Sequence, residues 1–234
     1  GVMVARGDLG VELPLADVPS TQKHIIRTTV SLGKPVITAT QMLASMETNP
    51  KPTRAEASDV ANAILDGTSA VMLSGETAVG KYPIAAVETL NTIALRAEAS
   101  LDEYGYLQKI KQQEANVITQ VVSQASASMA RNLEASAIVS LTESGFTSRQ
   151  ISKYRPDCPI LAITSSEVVT RKLSMNWGVI PVLYQGEPDD SKRIDFSIEK
   201  LKMITNAKEG DIVVVTAGHQ QREGGTNLVR IITL

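Results

Sequence analysis

GVMVARGDLGVE, residues 1–12, is the stretch that decides the fold. Its apolar run Val2–Ala5 stops abruptly at Arg6-Gly7-Asp8. A buried strand that ends by delivering a carboxylate and the two glycines Gly7 and Gly10 resembles the working rim of an α/β barrel. The sequence opens on that strand without a methionine, so it is expected to be part of a larger enzyme.

Working outward, strand and helix signals alternate. Pro19–Leu32 has helical periodicity and stops at Gly33, and Pro35–Ala39 is a β-branched strand. Thr53–Leu65 reads as a helix, with Thr53 as N-cap and Glu56 three residues on in a capping-box pattern. Asp66-Gly67 breaks it, Ala70–Leu73 is a third strand, and Pro83–Ser100 is a long helix with proline in its first turn. Three successive β-then-α units imply parallel strands with right-handed crossovers. Three strands do not close a barrel, so this sheet is expected to need partner strands from elsewhere. The first domain is therefore a partial (β/α)8 barrel over residues 1–101.

Residues 102–115 are polar and charged without a period and read as a linker. A second α/β block, residues 116–234, follows. Helices are expected at Asn116–Asn132, Thr147–Tyr154, Glu167–Met175 and Ser191–Asn206. Strands are expected at Ala137–Leu141, Pro159–Thr164, Val179–Leu183 and Asp211–Thr216. The last strand, Leu228–Thr233, follows a glycine-rich loop, and the tight reversal suggests an antiparallel edge. The block reads as a doubly wound α/β/α domain with a mostly parallel sheet.

Composition excludes several classes. A net charge of −2 and 3% aromatic residues give neither a basic face nor stacking platforms, which argues against nucleic-acid binding. No apolar run is long enough to span a bilayer. The single cysteine, Cys158, excludes an intrachain disulfide framework, suits a reducing cytoplasm and reads as a small core residue. His24 and His219 have no partners at zinc-ligand spacing. Met42 and Met46 read as core filler, Trp177 as packing in the second domain, and Asp189-Asp190 as a helix cap. Arg149, Lys153 and Arg155 read as a solvated basic face.

Chemistry concentrates at the ends of the first three strands: Arg6-Gly7-Asp8, Thr40-Gln41 and Ser74-Gly75-Glu76. Barrel enzymes assemble their sites there. Asp8 is a hard oxygen ligand suited to Mg²⁺, which takes one or two carboxylates plus substrate oxygens. Gly7 and its neighbours leave backbone N–H groups open to a carboxylate or phosphate. Thr40 and Ser74 offer hydroxyl donors. Arg6 either supplies charge or pairs with Asp8 or Glu12 and shapes the loop. One strand-end aspartate alone would read as a helix cap, but three polar ends in series point to a site. In the second block, Thr142–Ser148 lies between strand and helix, where hydroxyls and N–H groups make a phosphate nest or merely cap the helix through Thr147 or Ser148.

MVARGDLGVELP, GKPVITATQMLASM, PTRAEASDVANAILDGTSAVMLSGETAVGKYP and the later WGVIP closely resemble the pyruvate kinase family. The resemblance runs from the sixth barrel strand of that family to its C-terminus. It implies phosphoryl transfer from phosphoenolpyruvate to ADP, a requirement for Mg²⁺, usually with K⁺, a homotetramer, and cytoplasmic glycolysis. It makes Asp8 one of the two protein carboxylates on Mg²⁺. Amides around Arg6, Gly7 and Asp8 would hold the substrate carboxylate. Thr40 would lie beside the substrate near the face where the enolate is protonated, with Ser74 and Glu76 lining the pocket. Thr142, Ser144, Gly145, Phe146 and Thr147 resemble the effector-phosphate loop, and Ala217–Thr226 the glycine-rich effector loop, where Arg222 would reach a phosphate.

The family's other Mg²⁺ carboxylate, its phosphate-binding lysine and its K⁺ ligands come from upstream strands and a lid. Lys34 and Lys81 do not match that lysine. The chain by itself is therefore expected to lack phosphotransferase activity. The rival from another class is a non-catalytic phosphate-binding regulatory module, and a weaker rival is a different phosphoenolpyruvate-using barrel enzyme. Asp8, Thr40 and Ser74 speak against the module, which has no use for barrel-rim chemistry.

Overall fold

Strand β1, Val2–Ala5, runs straight into a short helix, α1, Arg6–Glu12, in the computed structural model. The structure describes residues 1–105, 117–218 and 225–234. The chain divides into two compact units, Gly1–Lys111 and Gln112–Leu234.

In the first unit, α1 is followed by α2 (Val18–Ser31), β2 (Val36–Ala39), α3 (Arg54–Leu65) and β3 (Ala70–Met72). A single turn α4 (Gly75–Ala78), then α5 (Pro83–Glu98) and α6 (Leu101–Tyr104) complete it. The three strands are parallel in the order β1-β2-β3, with Val2 opposite Val36 and Ile37 opposite Ala70. Val4 and Val36 pack under Ile26 and Val30 of α2, which ties the sheet to its covering helix. The capping box at Thr53 forms as expected: its hydroxyl accepts from Glu56 N, and the Glu56 carboxylate accepts from Thr53 N. The expected linker begins inside α6, and from residue 106 to 116 it lies outside the described residues.

In the second unit, α7 (Val117–Asn132), β4 (Ala137–Leu141), α8 (Phe146–Ser152) and β5 (Ile160–Thr164) come first. Then follow α9 (Glu167–Leu173), β6 (Val179–Leu183), α10 (Asp190–Ile204), β7 (Ile212–Ala217) and β8 (Leu228–Thr233). The five-stranded sheet has the order β6-β5-β4-β7-β8, parallel except for the antiparallel edge strand β8. Strand alternation sorts its core into two layers. Val139, Leu161, Val213 and Val215 face Leu201 of α10, whereas Ile138, Ile160 and Val214 face Ala130 of α7, Ile151 of α8 and Leu173 of α9. Both faces are covered, which is why the central strands read as unbroken apolar runs and why the doubly wound reading holds.

Candidate active site

Strand register fixes the geometry of the first unit's rim. Ala5 pairs with Ala39, and Ala39 with Met72, so the three chains leave the sheet at matching levels. Arg6 and Thr40 follow directly, and Ser74 follows one residue later, after Leu73.

Arg6 does not pair with Asp8 or Glu12. Its side chain, 13% exposed, turns beneath the loop after β2 and forms an ion pair with Asp59 of α3. Nε donates to Ala39 O at 3.3 Å and to Thr40 O at 3.2 Å, and Nη2 donates to Thr40 O and to Met42 Sδ. A planar guanidinium is suited to this because its five donors sit in a rigid fork. Arg6 thus acts as a bracket between two strand ends and a helix, not as an exposed charge.

The peptide it grips is unusual. Thr40 has φ 71° and Gln41 φ 54°, two consecutive non-glycine residues in the left-handed region. For a β-branched threonine this conformation is a true outlier, costing on the order of 1–3 kcal/mol, and such strain clusters at functional sites. The turn places Thr40 Oγ1 to accept from Gly7 N at 3.3 Å, so β1 and β2 exchange contacts at the rim itself. The long, weak bond leaves the hydroxyl hydrogen for another acceptor. Met42 and Leu43 beyond it are fully buried and anchor the loop, as is Met46.

Glu76 corrects the expectation that it lines a pocket. It is 1% exposed, and its carboxylate accepts from Leu43 N at 3.0 Å and from Ser74 N at 2.7 Å. It sews the loop after β2 to the loop after β3 and is spent in doing so. Ser74 N is likewise engaged, while Ser74 O accepts from Thr77 N and Ala78 N in the turn of α4. Glu56 performs a similar task one layer out, accepting from Ser45 N at 2.7 Å and Ser45 Oγ at 2.6 Å as well as from Thr53. Burial alone would raise its carboxyl, but the bonds from Ser45 and Thr53 outweigh it and hold the group below its ordinary value.

Asp8 is the contrast. It lies in the first turn of α1, is exposed, and forms no hydrogen bond or ion pair among the described residues. A carboxylate left free beside bracketed neighbours fits Mg²⁺ in the mode that draws on one or two protein carboxylates and on substrate oxygens. No group of three metal-ligating side chains exists among the described residues, so Asp8 would contribute one ligand and not a complete shell. The structure joins Arg6, Gly7 and Thr40 directly and ties Ser74 to them only through Glu76 and the loop after β2. No hydrogen bond links Asp8 to Thr40 or Ser74 among the described residues.

Sequence reasoning missed α1, which it took for a loop, and missed Asp59 and Glu56 as brackets. Asp59 stands one turn before the buried Ala63 and so borders the apolar face of α3, which is the available signal for a polar group turned inward.

The second unit's loop also differs from expectation. Gly145, not Thr147 or Ser148, is the N-cap of α8, with φ 76° and no capping side chain. A Cβ there would lie 3.0 Å from Leu173 Cδ2, so glycine is needed for both conformation and space. Thr142 Oγ1 accepts from Gly145 N at 3.0 Å, and Ser144 Oγ accepts weakly from Phe146 N at 3.4 Å. Thr147 Oγ1 is bonded to Thr226 Oγ1 in the interior, and Ser148 Oγ donates to Ser140 Oγ. The loop's four hydroxyls are therefore all engaged, two of them by amides of the loop itself. Arg222 and His219 lie outside the described residues. Lys153 and Arg155 are 3% and 7% exposed, so they are not a solvated face. Lys153 lies over the ring of Tyr154, and burial lowers its pKa, while the Arg155 guanidinium stacks 4.7 Å from the Trp177 ring centroid. Cys158 packs beside the core, its thiol pushed up to about 11 by burial and then by the charge of Asp157. Asp189 caps α10 as expected, accepting from Lys192 N at 2.9 Å.

A parallel β/α sheet with a strained, bracketed rim and a free carboxylate, together with a doubly wound unit, marks an α/β protein of the barrel class. Comparison with known proteins makes this specific. Residues 1–87 match the family described as pyruvate kinase, barrel domain, and residues 120–232 match pyruvate kinase, alpha/beta domain. The chain is 49% identical over 232 residues to a pyruvate kinase of Sporosarcina psychrophila, covering 99% of this chain and 40% of that protein. It is 50% identical over 231 residues to a pyruvate kinase of Bacillus licheniformis, again 99% of this chain and 40% of the relative. It is 49% identical over 232 residues to one from Clostridium acetobutylicum, covering 99% of this chain and 49% of the relative. The chain belongs to the pyruvate kinase family and spans about half or less of the length of these relatives.

Proposed function

We propose that the protein to which this sequence belongs transfers the phosphoryl group of phosphoenolpyruvate to ADP, giving pyruvate and ATP. The observation that carries this reading is the rim of the first unit, where Arg6, Gly7 and Thr40 are held in one hydrogen-bonded assembly while Asp8 is left free. Phosphoryl transfer needs positioning and charge neutralisation more than covalent participation by the protein.

The roles proposed here are those that the family resemblance implies for these residues. Amides at the start of α1 have no intrahelical acceptor and face a bound carboxylate. Gly7 N–H, now on Thr40 Oγ1, turns to the substrate as it arrives. Thr40 Oγ1 then directs its hydrogen toward the carbon that must be protonated, with Ser74 beside the same pocket. Asp8 would hold Mg²⁺, which when bound supplies Lewis-acid stabilisation of developing negative charge. K⁺ is a further expected requirement, with ligands outside this sequence. The loop Thr142–Thr147 with Arg222 is assigned to a phosphorylated effector, and the protein to a cytoplasmic homotetramer. No helix among the described residues is long and apolar enough to cross a membrane.

The test is pyruvate formation from phosphoenolpyruvate and ADP with Mg²⁺ and K⁺, run on this chain and on a full-length polypeptide containing it. Turnover by the long form and none by this chain is the expected result. A long form that binds phosphate analogues yet does not turn over would favour the regulatory-module reading.

A further inference from the structure

Asp59 lies on α3, outside the rim, and belongs to no motif with an assigned role. Its carboxylate is the anionic partner of Arg6. The remaining Arg6 donors fall on Ala39 O, Thr40 O and Met42 Sδ. The carbonyls they hold belong to the last residue of β2 and to the first of the two residues in the left-handed region. A strained peptide persists only where its surroundings over-determine it. Here the surroundings are the Gly7 bond to Thr40 Oγ1, the buried Met42 and Leu43, and the Arg6 guanidinium, which grips the carbonyls of Ala39 and Thr40 and whose ion-pair partner is one carboxylate.

We propose that Asp59 is a positioning residue for the reaction: by orienting Arg6 it fixes the left-handed Thr40–Gln41 turn and so the direction of the Thr40 hydroxyl. The proposal rests on the functional reading above only for the consequence in turnover, since the geometry it describes is independent of activity. Three features favour it over a simple surface ion pair. Arg6 is nearly buried, so its charge is poorly served by water. Two neighbouring carbonyls share the same guanidinium, so a rotation of Arg6 moves the backbone and not merely a side chain. The turn's conformation is costly enough that loss of its bracket would let it relax.

The distinguishing experiment compares Asp59→Asn, Arg6→Met and the double variant in a full-length, active polypeptide. Asp59→Asn is expected to lower kcat by about 10-fold while KM for phosphoenolpyruvate stays within about twofold, the pattern of an interaction realised in the transition state. The double variant is expected to be no slower than Arg6→Met alone, because the two residues act as one unit. Multiplicative losses, an unchanged kcat, or a KM effect alone would overturn the proposal. A crystal structure of Asp59→Asn supplies the readout that activity does not. Thr40 and Gln41 are expected to leave the left-handed region, and their retention there would overturn the proposal. If the unmodified long form does not turn over while the turn relaxes in Asp59→Asn, the functional reading fails and the positioning role stands.

Discussion

The rim of the first unit and the Thr142–Ser148 loop of the second both lie at C-terminal ends of parallel strands, yet they spend their polar groups differently. At the first rim the buried and half-buried charges, Arg6, Glu76 and Glu56, are consumed in bracing backbone, and the exposed Asp8 is left without a partner. In the second loop Thr142, Ser144, Thr147 and Ser148 pair with neighbours, and Glu143 is drawn to Arg193 at 2.7 Å and to Ser165 at 2.7 Å. One rim holds strain and an unpaired carboxylate, and the other has its hydroxyls engaged. Strain and an unspent carboxylate suit a site where charge changes during a reaction. A loop with its hydroxyls engaged suits a place that orders or reorders as a unit.

The contrast fails most visibly if Asp8 proves dispensable. Asp8→Asn keeps size and hydrogen-bonding capacity but removes the charge. In the full-length protein it is expected to reduce turnover on the order of 100-fold and to shift the Mg²⁺ dependence to higher concentration. Because Asp8 is exposed and unpaired, its thermal midpoint is expected to stay within a degree or two, roughly the surface-substitution range. Steady-state kinetics across a Mg²⁺ series check this, and wild-type behaviour at low Mg²⁺ would remove Asp8 from the metal.

Arg193→Met probes the second loop. Arg193 is 4% exposed and joins α10 to Glu143, with a further bond to Ile163 O at 3.3 Å. Breaking a fully buried pair costs about 3–5 kcal/mol, but Glu143 is 29% exposed and is able to rehydrate, so a loss of about 1–3 kcal/mol is expected. Urea unfolding measures it. Turnover without effector is expected to stay unchanged, since the pair lies in the second unit. A stability change near zero would show that the loop is not locked by this pair.

Where the sequence was legible depends on how local the cause was. The parallel strands are visible because burial on both faces leaves continuous runs such as Val213–Val215. The Thr53–Glu56 box is visible because both partners lie within one turn. Asp8, Thr40 and Ser74 were placed at strand ends by pattern alone. The Arg6–Asp59 pair was not legible, because 53 residues separate its partners and only the α3 packing brings them together. The left-handed Thr40–Gln41 turn was hidden for a related reason. Neither residue favours that conformation, and the group that grips it, Arg6, lies 34 residues away at the start of α1. Lys153 and Arg155 misled because charge normally marks solvent, whereas here aromatic rings take the place of water.

The smallest expected effect is the most direct measure of stored strain. Gln41 is exposed and has φ 54°, so its side chain contributes little packing while its backbone occupies an unfavourable region. Glycine removes that penalty, of about 1 kcal/mol or more, but adds about 0.4–1 kcal/mol of unfolded-state freedom. Gln41→Gly is therefore expected to raise stability by roughly 0.5 kcal/mol, read as a small upward shift of the urea midpoint with unchanged slope. Turnover is expected to fall in the same variant, because a glycine beside Thr40 widens the range of directions its hydroxyl samples. Opposite signs in the two measurements would identify the turn as a place where stability is given up for geometry. A loss of stability would instead mean that the Gln41 side chain holds the turn in place, and the strain argument for this rim would have to rest on Thr40 alone.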